Sequence, residues 1–183
     1  MKLLLLRHMK TQYNRLGILQ GKKDIPILAP REDQAESILR NKCILNDEKP
    51  FDHVLVSTLQ RTRMTAALYV DRFAIEPLLD ELDFGEYEGR TKRDLIREQP
   101  LWTSCPDLLT LGEPLGELEK RVKKFVETYS AGTCPGPKIL IFGHGAWIRA
   151  LLSFVKTGSI REMNRMSVEN NQIIQLRTTA PGN

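Results

Sequence analysis

The sequence predicts an α/β protein, a three-layer α/β/α sandwich around a mainly parallel central sheet, and three observations lead there. Short unbroken apolar runs occur at residues 2–6 (KLLLL), 52–57 (DHVLVS) and 138–142 (KILIF), the form of strands covered on both faces. Stretches with apolar residues at helical spacing follow the last two runs, at 59–70 and 146–155. Strands alternating with helices assemble into a parallel sheet flanked by helices. Composition agrees, since 41% hydrophobic and 27% charged residues is ordinary for a globular protein.

The elements read in order as follows. Residues 2–6 form the first strand. A helix is expected at 32–45, with Pro30 near its start, where proline is tolerated. The strand at 52–57 and the helix at 59–70 come next, then a short strand at 74–76. Pro-rich stretches at 99–114 and 133–137 read as loops within one domain. Between them, 114–129 is a helix with Leu115, Leu118, Val122, Phe125 and Val126 on one face. The strand at 138–142, the helix at 146–155 and a last strand at 173–176 complete the chain. The 183 residues contain no internal repeat or low-complexity segment, so a single domain over 1–183 is expected.

Several function classes are disfavoured. The net charge is +4 and the pI near 9.0, but basic and acidic residues are interspersed and no five-residue basic block occurs. That favours a small anionic partner over nucleic acid. No run approaches the about 20 apolar residues of a membrane span, and the four leucines after Lys2 are too few for a secretory leader. Cys43, Cys105 and Cys134 are odd in number and far apart, so a reduced, cytoplasmic protein is expected. The three histidines lack metal-ligand spacing, and neither metal nor cofactor is expected. Gly143-His144-Gly145 begins a dinucleotide fingerprint, but Ile148 occupies its third glycine. His53 reads as structural or exposed, and Trp102 and Trp147 as packing residues. No sequence feature sets an oligomeric state.

In open parallel sheets ligands bind beyond the carboxyl ends of the strands. After the first run come Arg7 and His8. After the second come Ser57, Thr58 and then Arg61, in the opening turn of a helix; after the third comes Gly143-His144-Gly145. Arginine forks match phosphate oxygens, a neutral imidazole can attack phosphorus, and glycine permits close approach of backbone to ligand. Singly, each is an ordinary strand end or surface residue. Their joint placement points to a phosphoryl site.

These segments resemble the histidine phosphatase superfamily, also called phosphoglycerate-mutase-like. LLLLRHMKTQYN is similar to its opening Arg-His-Gly-Glu-Thr signature with the trailing asparagine, which implies nucleophile His8, phosphate-binding Arg7, and Asn14. QGKKDIP is similar to the QG-x-x-D-x-P loop, matching Gln20, Gly21, Asp24 and Pro26. STLQRTRMTA resembles the segment of the second arginine, Arg61, and LDELDFGEYEGRT puts Glu81 at the proton donor's position. LGEPLGELEKRV and IFGHGAWIRALL complete the set, the latter supplying His144 followed by Gly145. Met9 and Lys10 stand where the family has glycine and commonly glutamate, Arg31 at a frequent glycine, and Pro114 at a serine. Met9 is expected to narrow the pocket or shift the backbone that orients His8.

The resemblance implies a metal-independent phosphomonoester hydrolase. It acts on a small phosphorylated metabolite through a phosphohistidine on His8, with Arg7, Arg61, Asn14 and His144 on the phosphoryl oxygens. Glu81 protonates the leaving alkoxide, which calls for a raised pKa; Asp80, Asp83, Glu86 and Glu88 are its neighbouring rivals. The alternatives are a mutase-type phosphotransferase and a catalytically weak phosphate-binding module. About 60 residues separate Glu81 from His144, read as two helices and a proline-rich loop that leave the site open to water. Arg15, Lys22 and Lys23 are read as a solvated basic loop in preference to a reader of a second negative group.

Overall fold

The structure, a computed structural model, describes residues 1–130 and 136–178. Its strands are β1 (Lys2–Arg7), β2 (His53–Val56), β3 (Ala74–Ile75), β4 (Lys138–Gly143) and β5 (Ile173–Arg177). They form one sheet in the order β3-β2-β4-β1-β5, parallel throughout except for β5, which pairs antiparallel with β1. The helices are α1 (Gln12–Leu16), α2 (Glu32–Asp47), α3 (Gln60–Ala66), α4 (Lys92–Glu98), α5 (Leu101–Ser104), α6 (Leu115–Ser130) and α7 (Gly145–Thr157).

The alternation of side chains along β1 builds the three layers. Leu3 and Leu5 enter a cluster with Phe125 and Val126 of α6 and Trp147 and Leu151 of α7. Leu4 and Leu6 enter the opposite cluster, with Leu45 of α2 and Ala66 of α3. All four leucines are wholly buried, worth roughly 1.5–3 kcal/mol each in removed apolar surface. Both faces of the sheet are therefore covered, as the unbroken runs require.

Register then sets the site. Arg7 pairs with Gly143 and Val56 with Phe142, so β1, β4 and β2 end side by side. His8, His144 and Ser57 follow those ends directly, on three adjacent strands.

The structure differs from expectation at short elements. The stretch expected as a loop at 99–114 contains α5 and a 3-10 turn, because Trp102 turns inward and packs on Phe84 with ring centroids 5.7 Å apart. Helices α1 and α4 are too short for a hydrophobic period, and each is started by a capping box, Thr11 with Asn14 and Thr91 with Asp94. The helix expected over 59–70 ends at Ala66. The loop expected at 133–137 lies largely outside the described residues, as does Cys134. Among the described residues, no helix is long and apolar enough to cross a membrane.

Candidate active site

A cavity of about 260 Å³ opens at the carboxyl ends of the strands. Its wall carries three cations, Arg7, Lys92 and Arg149, and one acid, Glu81. Asn14 and Gln20 add amides; Ile18, Leu19, Phe84, Trp102 and Val168 supply apolar surface.

His8 lies in the wall, almost fully buried. Its Nδ1 is 2.7 Å from the Met9 carbonyl oxygen, which can only accept. Nδ1 therefore carries the proton and Nε2 has the free lone pair. Burial, then the charges of Arg61 and Arg7, holds the His8 pKa well below the usual histidine value.

Arg61 and His144 are wholly buried and are not among the cavity-lining residues. The His144 ring centroid stands 5.4 Å from that of His8. Arg61 Nε donates to His144 Nδ1 at 3.1 Å, so the other ring nitrogen carries the proton, and His144 Nε2 donates to Ser57 Oγ at 2.7 Å. The Ser57 hydroxyl donates to Thr62 Oγ1 at 2.9 Å, and the Thr62 hydroxyl donates to the Leu59 carbonyl. This directed chain fixes the tautomer. The His144 pKa is lowered well below the usual value, first by burial and then by Arg61.

The QGKKDIP segment wraps Arg61. Its Nη1 and Nη2 donate to the carbonyls of Lys23 and Gly21 at 2.8 and 2.7 Å, while Gln60 N–H donates to the Asp24 carboxylate at 2.7 Å. Gly21 has φ +53°, and a Cβ there would overlap the Glu88 carboxylate, which accepts the Lys22 N–H. Gly21→Ala is expected to cost roughly 1–2 kcal/mol from the left-handed backbone alone, lowering Tm by roughly 2–8 °C. A melt within about 1 °C of wild type would contradict this account of the loop.

Gln20 and Asn14 are oriented by their oxygens. The Thr11 hydroxyl donates to Gln20 Oε1 at 2.8 Å; Asn14 Oδ1 accepts from Thr11 N–H at 3.2 Å and Asn170 Nδ2 at 3.3 Å. Both residues line the cavity. Arg7 Nη1 donates to the Val168 carbonyl, and its buried Nε has no partner among the described residues. Gly145 lies against this guanidinium: an added Cβ would stand 3.2 Å from Arg7 Cζ. Burial lowers the pKa of Arg7 and of Arg61, with Glu81 opposing in each case.

Glu81 caps α7. Its Oε1 accepts the N–H of Trp147 at 3.1 Å and its Oε2 that of Ala146 at 3.2 Å. Of the acids in its segment it alone lines the cavity. Asp80 accepts from Thr58 and Lys22, Asp83 from the Gly85 N–H, Glu88 from the Lys22 N–H, and Glu86 is exposed.

Met9 does not line the cavity. Its side chain is buried, its N–H donates to Thr65 Oγ1 at 2.9 Å, and its φ is not positive, so glycine is not required there. Arg15 and Lys23 are exposed, Lys22 pairs with Asp80 at 3.1 Å, and none of the three lines the cavity. The basic wall residues that the motifs did not reveal are Lys92 and Arg149. Arg149 had a signal: it lies three and four residues after Ala146 and Gly145, hence on the same face of α7.

Comparison with known proteins finds relatives over nearly the whole chain. The family model described as histidine phosphatase superfamily (branch 1) matches residues 3–183. An adenosylcobalamin/alpha-ribazole phosphatase of Salmonella typhimurium is 31% identical over 170 residues, 86% of this chain and 80% of the relative. A probable phosphoglycerate mutase of Serratia proteamaculans is 30% identical over 162 residues, 82% of this chain and 73% of the relative. Among solved structures, an open-reading-frame product of Mycobacterium tuberculosis superposes with TM-score 0.81 at 25% identity, over 98% of this chain and 92% of that one. A putative alpha-ribazole-5'-P phosphatase of Escherichia coli does so with TM-score 0.77 at 26% identity, over 96% and 89%.

Proposed function

The chain belongs to the histidine phosphatase superfamily, and from that premise we propose that it hydrolyses a small phosphomonoester through a phosphohistidine on His8. The observation that carries the reading is the His8 ring itself: Nδ1 bound to a carbonyl, Nε2 free, and the ring held neutral at a cavity wall beside Arg7.

In the first step Nε2 attacks phosphorus in line, the bond to the ester oxygen breaks, and Glu81 gives its proton to the departing alkoxide. Arg7 and Asn14 hold phosphoryl oxygens from the cavity wall, with the Arg61 charge behind them. His144 reaches a phosphoryl oxygen by exchanging its Ser57 bond. Water then attacks phosphorus, Glu81 takes its proton, and the P–N electron pair returns to Nε2. The arginines supply the positive charge, so no metal is required. The cavity of about 260 Å³ is just under the roughly 300–1,000 Å³ typical of drug-sized ligands, which suits a small metabolite. Relatives carrying phosphatase names support water as the acceptor. The test is p-nitrophenyl phosphate hydrolysis in EDTA: sustained turnover is expected, and turnover that needs added metal contradicts the reading.

A mutase-type reading is kept in view by the relative named a probable phosphoglycerate mutase. Supplied with 3-phosphoglycerate, a mutase forms the 2-phospho isomer; a phosphatase releases inorganic phosphate.

The lowered pKa values give a further expected result. A neutral ring dominates above its own pKa, and both buried rings titrate below the usual value of 6.5. At a pH equal to that usual value, nitrogen NMR should find His8 neutral with its proton on Nδ1 and His144 neutral with its proton on Nε2. Half-protonated rings at that pH would contradict the assignment.

A further inference from the structure

We infer that Arg121 and Glu113 are positioning residues for proton delivery: their ion pair grips the chain on both sides of Glu81 and sets where its carboxyl group meets the leaving oxygen. The inference rests on the phosphatase reading with Glu81 as donor, and adds two residues that do not line the cavity.

Residues 80–84 belong to no helix or strand, so neither a ladder nor a helix satisfies their backbone groups. Helix α6 and the loop before it supply partners. Arg121 Nη1 donates to the Asp80 carbonyl at 2.7 Å, one residue before Glu81. Glu113 Oε1 accepts the Asp83 N–H at 3.0 Å, two residues after it. The two side chains close the bracket on each other, with Arg121 Nη2 donating to Glu113 Oε1 at 2.6 Å. Gly112 N–H donates to the Asp83 carbonyl at 3.1 Å. A Cβ on Gly112 would stand 1.8 Å from Asp83 Oδ1, so glycine is what lets the two chains approach this closely.

This pair differs from the other ion pairs of α6. Lys120–Glu117 and Lys123–Glu127 are more than half exposed, and such pairs hold little beyond each other. The side chains of Arg121 and Glu113 are only 20% and 18% exposed, and each also binds backbone of the Glu81 segment. The Glu81 carboxylate is held separately, by the N–H groups of Ala146 and Trp147 at the start of α7. Glu81 is thus strung between two supports, its backbone tied to α6 and its carboxylate to α7. When the P–O bond breaks, the Glu81 proton passes to the ester oxygen, a transfer that needs a reach of about 2.6–3.2 Å. A misplacement of about 1 Å costs on the order of 100-fold in rate. The segment LGEPLGELEKRV, which gives the cavity no residue, finds its role here.

The test separates proton delivery from support of the fold. Quenched flow follows phosphohistidine formation from p-nitrophenyl phosphate and from glycerol 3-phosphate, an alkyl ester. The proteins are the wild type, Arg121→Met, Glu113→Ala, Glu113→Gln and Lys120→Met. In Arg121→Met and Glu113→Ala the alkyl ester should react about 10- to 100-fold more slowly, while the p-nitrophenyl ester slows less than about threefold. Glu113→Gln keeps an oxygen that accepts from Asp83 and Arg121, and should restore the alkyl-ester rate to within about threefold of wild type. Lys120, exposed and paired with Glu117, controls for a lost charge on α6, and its variant should react like wild type. Equal slowing of the two esters, or slowing of neither, overturns the proposal, since a pair that only supports the fold has no preference among leaving groups. Thr58 and Lys22 still hold the Asp80 carboxylate in every variant, and Glu113→Ala retains the Arg121 bond to Asp80. That variant therefore decides the matter if Arg121→Met fails to fold. Glu81→Gln is measured alongside. Leaving-group dependence there but not in Arg121→Met removes the positioning role alone; its absence from both removes Glu81 as donor and the positioning role with it.

Discussion

His8→Asn is expected to lower the turnover of phosphomonoesters by roughly ten-thousandfold or more, with a much smaller change in KM. Asparagine keeps polar volume at a buried position while removing the Nε2 lone pair. Arg7 and Asn14 remain to bind phosphate, held by Val168, Thr11 and Asn170, so binding is expected to outlast chemistry. Steady-state kinetics on p-nitrophenyl phosphate, beside a melting curve, checks this. A folded variant within about tenfold of wild-type kcat would remove His8 from the mechanism.

Glu81→Gln should give the second largest effect, and its size should depend on the leaving group. An alkyl ester needs a proton on the departing oxygen, and losing the donor is expected to cost about 100- to 10,000-fold in kcat. A p-nitrophenolate leaves unaided, so with that ester the burst that forms the phosphohistidine should slow less than roughly tenfold, while loss of the base for water in the second step slows both esters alike. Glu88→Gln is the comparison. Glu88 accepts the Lys22 N–H and lies off the cavity wall, so its variant should retain turnover on both esters. Loss of alkyl-ester turnover in Glu88→Gln with full activity in Glu81→Gln would exchange the two roles.

The central sheet was legible because strands buried on both faces leave an unbroken apolar signature, as Leu3–Leu6 do. Once those runs are parallel and adjacent, the rule of the strand ends brings Arg7, His8, Arg61 and His144 together with no further information. Glu81 is a different case. Five acids crowd positions 80–88, and spacing alone cannot say which one faces the cavity. The family resemblance pointed to Glu81, and the backbone N–H groups of α7 give its location a physical cause.

What the sequence hid was set by tertiary contacts. The basic cluster of Arg15, Lys22 and Lys23 is conspicuous in the chain, yet Asp80, 58 positions from Lys22, takes its ammonium away from the cavity. Lys92 and Arg149 lie far apart in the chain and share no motif, and only the packing of α4 and α7 around one cavity makes them neighbours. Met9 looked disruptive because glycine is the family residue; its ordinary backbone and its buried side chain away from the cavity remove the conflict.

The phosphohistidine is the centre of this account, and trapping it is the most direct test. The enzyme would be mixed with phosphorus-labelled p-nitrophenyl phosphate, quenched in denaturant at high pH within milliseconds, and digested for mass spectrometry. The predicted result is a single phosphoryl group on His8 that survives base, is released by acid, and is absent from His8→Asn. An acid-stable adduct, an adduct on another side chain, or turnover without any labelled protein would contradict it.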